Sequence, residues 1–183
     1  MKLENLLAQK RATILGRWFD LIVETYPAET AKFLKRRQDQ FANPVGAAVH
    51  EGIEGLLTQL ATGLDPERIS PFLDRIIRVR AIQDFTPSRA VAFVPLLKGI
   101  IREELEGELE TLESTELAEF ESRIDQLTLL AFDVYMACRE RIYEIKVNEI
   151  KRMYCSPFDR KTLVCRVPEP DDKGGDAQTT EAR

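Results

Sequence analysis

Histidine, cysteine and long apolar runs are scarce in this sequence of 183 residues, and each scarcity narrows the choice of function. With one histidine, His50, and three cysteines, the chain has little material for nucleophilic catalysis, which needs a base beside the nucleophile. No apolar run approaches the roughly 18 residues that a transmembrane helix requires. We therefore expect neither an enzyme nor a protein inserted in a membrane.

Basic residues are not in excess, and the N-terminus does not resemble an export signal. The net charge of -5 argues against nucleic acid as the main partner. Residues 1–10 lack the apolar core and cleavage site of a signal peptide. An odd number of cysteines suits a reducing compartment better than a disulfide scaffold. The expected location is the cytoplasm.

Apolar residues recur at helical spacing through most of the chain, and prolines mark where helices begin. Asn43, Asp65, Ser70 and Thr86 are good N-cap residues, and each is followed by a proline suited to the first helical position. Pro95 predicts a kink at 91–94, inside the segment that contains it. The predicted helices before the last one span 2–26, 28–37, 44–62, 71–82 and 87–112, with a turn at 66–69.

The longest periodic segment, 117–151, contains no glycine or proline and carries two apolar stripes. A helix with two apolar faces must be covered on both, so we expect the core of the chain on one side and a second subunit on the other. From the first stripe we take the candidate dimer face, which consists of Leu127, Val134, Cys138, Ile142 and Ile145. The second stripe consists of Leu129, Phe132, Met136, Tyr143, Val147 and Ile150.

These segments predict an all-α bundle of about six helices with a long C-terminal helix. The helical domain is expected to span residues 1–152. Residues 153–183 contain several prolines and glycines and no apolar periodicity after 167, which is typical of a flexible tail. Residues 161–167 are the only candidate for a strand.

Few residues offer a cofactor site. His50 is the one residue that could ligate haem iron. Cys155 and Cys165 are ten residues apart, wider than the usual zinc ligand pairs, but they could form a metal or redox centre. The glutamates between 103 and 113 lack the Glu-x-x-His pairs of a di-metal bundle. We expect no cofactor, and a haem, metal or redox sensor is the alternative function.

A cluster of charged residues stands out in the middle of the chain. Guanidinium groups beside the helix start at Thr86-Pro87 could hold an anion. Salt bridges of Arg78 or Arg80 with Asp84 or with a glutamate of another helix are the alternative. The candidate ligand or partner contacts are Arg75, Arg78, Arg80, Asp84 and Arg89.

The run from Ile76 to Val91 resembles the signature of the RsbRD N-terminal-like domain of RsbT co-antagonist proteins. The core of this resemblance is Gln83-Asp84-Phe85-Thr86-Pro87-Ser88, and the likeness covers about residues 3–151. Four other segments resemble the same family: Trp18-Phe19-Asp20, Tyr26-Pro27, Phe41-Ala42-Asn43-Pro44-Val45-Gly46 and Phe132-Asp133-Val134-Tyr135-Met136.

The resemblance implies a globin-like sensory or regulatory domain of the stressosome type, which usually lacks haem and dimerises. About 30 residues follow Arg152, too few for the STAS or histidine kinase domain that multidomain relatives carry there. The expected function is therefore a standalone, non-enzymatic regulator in bacterial signalling. It would act as a homodimer that binds a protein partner of unknown identity, with a small ligand as a further option.

Overall fold

The computed structural model describes residues 2–36, 43–83, 85–108 and 112–154, and in these ranges every regular element is an α-helix. The predicted all-α fold is confirmed, while the more specific globin-like arrangement stays a prediction. The strand candidate 161–167 and the tail from 155 onward lie outside the described residues. The helices are α1 (Leu3–Gln9), α2 (Arg11–Glu24), α3 (Ala28–Arg36), α4 (Pro44–Thr62), α5 (Pro66–Ile82), α6 (Pro87–Val91), α7 (Phe93–Glu104) and α8 (Ser114–Tyr154).

Two predicted helices are each divided into two in the structure. The described residues therefore form eight helices, whereas about six were expected. The segment 2–26 breaks at Lys10, whose ammonium group binds the Glu104 carbonyl and, at 3.1 Å, the Glu108 carboxylate. These partners lie about 100 positions away in sequence, so the break could not be seen from local residues. The segment 87–112 bends at Ala92, within the predicted kink, because Pro95 cannot donate a backbone hydrogen bond. It then ends at Glu104, earlier than predicted.

The helix starts show how closely local residues define the boundaries. The Asn43 side chain accepts a hydrogen bond of 2.8 Å from the Gly46 amide, and its own amide donates to the Leu34 carbonyl at 2.9 Å. A side chain at Gly46 would place its Cβ 2.2 Å from the Asn43 side chain, so this cap requires glycine there. Asp65 caps α5 through the Glu67 amide at 3.1 Å.

The predicted start at Ser70-Pro71 is wrong. Pro71 lies inside α5, one turn after the true start at Pro66. Pro71 lies close to the N-terminus of the helix, and because it has no amide hydrogen, the helix loses one hydrogen bond, the one to the Glu67 carbonyl. Burial of Ile69 before the proline and Leu73 after it keeps both sides in one helix.

Two close contacts position the helices that later form the candidate site. Trp18 of α2 is completely buried, and its indole donates a 2.7 Å hydrogen bond to the Phe93 carbonyl at the start of α7. Helix α4 packs closely on α5 at Gly52, because glycine has no Cβ. A Cβ at this position would lie only 2.7 Å from the Ile76 side chain. These contacts hold α2, α5 and α7 around a shared interior.

The chain divides into two compact units, Met1–Tyr143 and Glu144–Arg183, and α8 belongs to both. In the first unit, α8 buries Phe120, Ile124, Leu127, Ala131 and Tyr135. In the second, residues 144–153 are all exposed. The predicted domain boundary after Arg152 stays a prediction. No helix in the described residues is long and apolar enough to cross a membrane.

Candidate functional site

The fold divides the arginines that were predicted as one cluster: Arg75 and Arg78 form ion pairs on the surface, whereas the remaining two both contact Thr25 and Phe85. Arg75 forms an exposed ion pair with Glu51 of α4, which ties α5 to its neighbour. Arg78 pairs with Asp74 one turn earlier at 2.7 Å and is also exposed. Both arginines are therefore in ion pairs, although not in the pairs that the alternative interpretation named, and that interpretation stays a prediction. Asp84 lies outside the described residues.

Arg80 is different, because its side chain is completely buried in the first unit. Its guanidinium donates to the Thr25 hydroxyl and, at 3.4 Å, to the Ala90 carbonyl. Its Nε has no hydrogen-bond partner within the described part of the chain. None of the carboxylates in that part forms an ion pair with it. Burial of the charged guanidinium destabilises the fold, since moving an ion out of water costs several kcal/mol even after relaxation of the protein.

Aromatic rings surround the buried guanidinium in place of a counter-ion. The Cζ atom of Arg80 lies 4.7 Å from the ring centre of Phe85 and 5.5 Å from the ring centres of Tyr26 and Phe93. A desolvated cation–π contact stabilises by about 2 kcal/mol. Three such contacts together offset a large part of the desolvation cost, and no carboxylate of the described residues pairs with the positive charge.

Tyr26 adds a second buried polar group without a partner. Its hydroxyl makes no hydrogen bond of standard geometry to any described residue, and its ring meets the edge of Phe85 at 5.3 Å. Burial raises the pKa of Tyr26, and the positive charge of Arg80 partly opposes this rise. Burial likewise lowers the pKa of Arg80, with Tyr26 opposing. The two groups influence each other's protonation although no regular hydrogen bond joins them.

A surface pocket of about 420 Å³ lies against this centre. Arg89 lies at the pocket, with its guanidinium 3.4 Å from the Thr25 carbonyl and 5.6 Å from the ring centre of Phe85. Thr25 and the rings of Tyr26 and Phe85 therefore contact Arg80 and line the pocket as well. The lining residues are Glu24, Thr25, Tyr26, Pro27, Gln83, Phe85 and Arg89.

The segment that carries Phe85 is tied to α8. The buried Tyr135 donates a hydrogen bond from its hydroxyl to the Phe85 carbonyl. Arg139, one turn later, donates to the Ala81 carbonyl at 3.2 Å. A change in the loop between α5 and α6 therefore acts directly on the long helix.

Sequence reasoning found Arg80 and Arg89 but missed the aromatic surroundings and the Tyr135 contact. A signal for Arg80 is present in the sequence, because it continues the apolar stripe of Leu73, Ile76 and Ile77 at helical spacing. An arginine on an apolar stripe is expected inside the protein, whereas Arg75 and Arg78 fall off the stripe.

The candidate dimer face is divided between interior and surface. Leu127 is completely buried in the core of the chain. Val134, Cys138 and Ile142 are partly buried and pack against that core. Only Ile145 is exposed, at 50%. The first stripe therefore covers the core of the chain itself.

The second stripe is the exposed one. Its side chains, together with Met153, range from 38% exposed at Met136 to 81% at Met153. Leu129, Met136, Tyr143 and Ile150 recur every seven residues, which is the spacing of a helix that pairs with another helix. The large exposed apolar side chains of α8 are Leu129, Phe132, Met136, Tyr143, Ile145, Val147, Ile150 and Met153.

The residues considered for a cofactor remain apart where the structure describes them. The His50 ring lies 6.1 Å from that of Phe19. Within residues 2–36, 43–83, 85–108 and 112–154 no group of three or more His, Cys, Asp or Glu side chains could hold a metal ion. Burial raises the pKa of the Cys138 thiol. Cys155 and Cys165 lie outside the described residues, so the sensor alternative that uses them stays a prediction.

Comparison with known proteins supports the resemblance noted in the sequence. The family model of the RsbT co-antagonist protein rsbRD N-terminal domain matches residues 12–149, which is 138 of the 183 residues. An uncharacterized protein of Archaeoglobus fulgidus is 24% identical over 144 residues, 76% of this chain and 83% of that protein. No solved structure gives a significant match. The buried arginine, its aromatic neighbours and Tyr135 all fall within the range that the family model matches.

Proposed function

We propose that this chain, which belongs to the RsbT co-antagonist protein rsbRD N-terminal domain family, is a non-enzymatic regulator that acts by dimerising and binding a protein partner. Domains of this family are stressosome-type regulatory or sensory domains. In this proposal the protein is a homodimer, is located in the cytoplasm and takes part in bacterial signalling.

The exposed apolar stripe of α8 is the observation that carries the proposal. Eight large apolar side chains of this one helix are exposed, and six of them follow heptad spacing between 129 and 153. Leu129, Phe132, Met136 and Tyr143 lie in the first unit, and the other four lie in the second. Large exposed apolar side chains grouped in this way are typical of a protein–protein interface.

A second copy of the chain is the partner that fits this stripe best. A seven-residue repeat needs a partner helix with the same repeat, because side chains at these positions insert between those of the facing helix. A second copy supplies that repeat, and symmetric dimers are the commonest soluble oligomers. The remaining exposed apolar residues, Ile145 and Val147, are then available to a different protein.

Light scattering coupled to size-exclusion chromatography tests the dimer. The wild type is expected to run as a dimer at high micromolar concentration, and the double variant Phe132→Glu/Ile150→Glu as a folded monomer. Ala137→Glu is the matched control, because it adds a charge to the same helix at an exposed position outside the repeat. A monomeric wild type, or a double variant that still dimerises, would contradict the proposal.

A further inference from the structure

We propose that the pocket beside Tyr26 and Phe85 binds a small oxyanion, with Arg80 behind its inner wall and Arg89 at its mouth. This inference deepens the proposed function, because it names the chemical class of the input to a regulatory domain. The residues of the pocket are not those of the proposed dimer face, so the two proposals can fail separately.

The first argument is that no carboxylate in the described part of the chain pairs with the buried charge of Arg80. The described surroundings give the guanidinium two hydrogen-bond acceptors and three rings, but no carboxylate. Buried cations in proteins are normally paired. Arg80 Nε and the Tyr26 hydroxyl are both buried without a hydrogen-bond partner among the described residues, and both are donors. Tyr26 and Arg80 also act on each other electrostatically, and a guanidinium and a phenol side by side are suited to an anionic acceptor.

The pocket gives an anion a place close to that charge. Thr25, Tyr26 and Phe85 line the pocket and also contact the guanidinium, so a ligand is separated from Arg80 by a single layer of side chains. Near a protein surface the effective dielectric constant is about 20, well below that of water, so an anion in the pocket is attracted to the charge of Arg80.

The mouth of the pocket carries one favourable and one unfavourable charge. Arg89 is exposed and offers a guanidinium, and Gln83 offers an amide. Glu24 is the carboxylate that lines the same pocket, and it repels an anion. Removal of the Arg89 charge should therefore weaken anion binding, and removal of the Glu24 charge should strengthen it. A non-specific effect of salt on the whole protein would not produce these opposite changes.

The connection to α8 makes this ligand an input. The wall residue Phe85 accepts a hydrogen bond from Tyr135, which lies between Phe132 and Met136 of the exposed stripe. A ligand that shifts Phe85 therefore acts on the helix proposed to dimerise. Because such coupling is reciprocal, dimerisation must change the anion affinity by the same factor.

Calorimetric titration of the full chain with inorganic phosphate and with acetate, at constant ionic strength, tests the site. Binding of either probe is expected. We expect Arg80→Met to weaken binding at least tenfold, Arg89→Met to weaken it several-fold and Glu24→Gln to tighten it several-fold. Arg78→Met is the matched control, with the same substitution on the same helix at an exposed, paired arginine, and its affinity should stay unchanged.

Each other outcome overturns the proposal. It fails if neither probe binds, if Arg78→Met loses as much affinity as the pocket variants, or if Glu24→Gln leaves the affinity unchanged. The two surface variants keep the test decisive even if Arg80→Met does not fold. The titration is repeated on the monomeric variant Phe132→Glu/Ile150→Glu, where retained binding shows that the pocket does not depend on the dimer.

The role as an input has its own test. We expect saturating probe to change the dimer dissociation constant of the wild type, and Tyr135→Phe to remove that change without weakening the binding of the probe. A dimer constant that is indifferent to bound probe would refute the input role.

Discussion

Replacing Arg80 by methionine should cost this protein little or no stability, although Arg80 is among its most deeply buried side chains. Methionine has no charge and reproduces the unbranched stem of arginine as far as Nε, although it does not fill the space of the outer guanidinium atoms. The substitution removes a desolvation cost of several kcal/mol and also removes two hydrogen bonds and three cation–π contacts, each of about 1 to 2 kcal/mol. Replacement of buried ionic groups by apolar side chains is often neutral or stabilising. We therefore expect the free energy of unfolding of Arg80→Met to lie between about 1 kcal/mol below and about 2 kcal/mol above that of the wild type.

The groups that Arg80 leaves behind support this small value. The Thr25 hydroxyl keeps a 2.6 Å hydrogen bond to the Ile22 carbonyl. The bond to the Ala90 carbonyl is long, at 3.4 Å, so its loss is minor. Phe85 and Phe93 then pack against an aliphatic and sulfur-containing side chain, which is a favourable contact.

Arg80→Ala separates the effect of shape from the effect of charge. It removes the same charge but leaves a cavity, which costs about 2 to 5 kcal/mol in a core. For a domain of this size, that loss lowers the melting temperature by roughly 2 to 4 °C per kcal/mol. Thermal unfolding and urea titration of both variants, without added anion, measure the difference.

One result would refute the reasoning. If Arg80→Met destabilises the protein as much as Arg80→Ala, the guanidinium itself holds the core together, and its burial needs no ligand to explain it. If methionine is tolerated and anion binding is lost, the cation is retained for binding at the expense of stability, as is common in functional sites.

Two further predictions concern packing and pH. Gly16→Ala, where a Cβ meets nothing within 4 Å, should stabilise α2 by about 0.5 to 1 kcal/mol, whereas Gly52→Ala should destabilise by about 1 to 3 because its Cβ strikes the Ile76 side chain. Urea titration of this pair checks the close packing of α4 on α5, and equal effects would contradict it. Arg102, through its hydrogen bond, lowers the pKa of Glu121, so this carboxylate stabilises the fold above its unfolded pKa and loses that effect as pH falls. The stability difference between wild type and Glu121→Gln should therefore shrink from roughly pH 6 to pH 3, and a difference independent of pH would refute the assignment.

Helix boundaries set by neighbouring residues could be predicted from the sequence. The start of α4 needs only Asn43, Pro44 and Gly46, whose contacts lie within one turn. The break at Lys10 could not be predicted, since its partners Glu104 and Glu108 come from the far end of the domain. The helix start predicted at Pro71 was wrong because Asp65 caps the same helix one turn earlier.

The candidate site follows the same division. Composition and spacing pointed to the arginines of α5 and to the two apolar stripes of α8, because charge and helical period are properties of the sequence itself. They did not identify which arginine turns inward or which stripe stays exposed. Those depend on the direction of each helix relative to its neighbours, and that direction is set by contacts such as the indole of Trp18 on Phe93 and Tyr135 on Phe85. The sequence alone thus determined the helical class, most helix starts and the family resemblance. Only the tertiary structure placed one buried cation among three rings, because residues far apart in sequence had to meet before its surroundings existed.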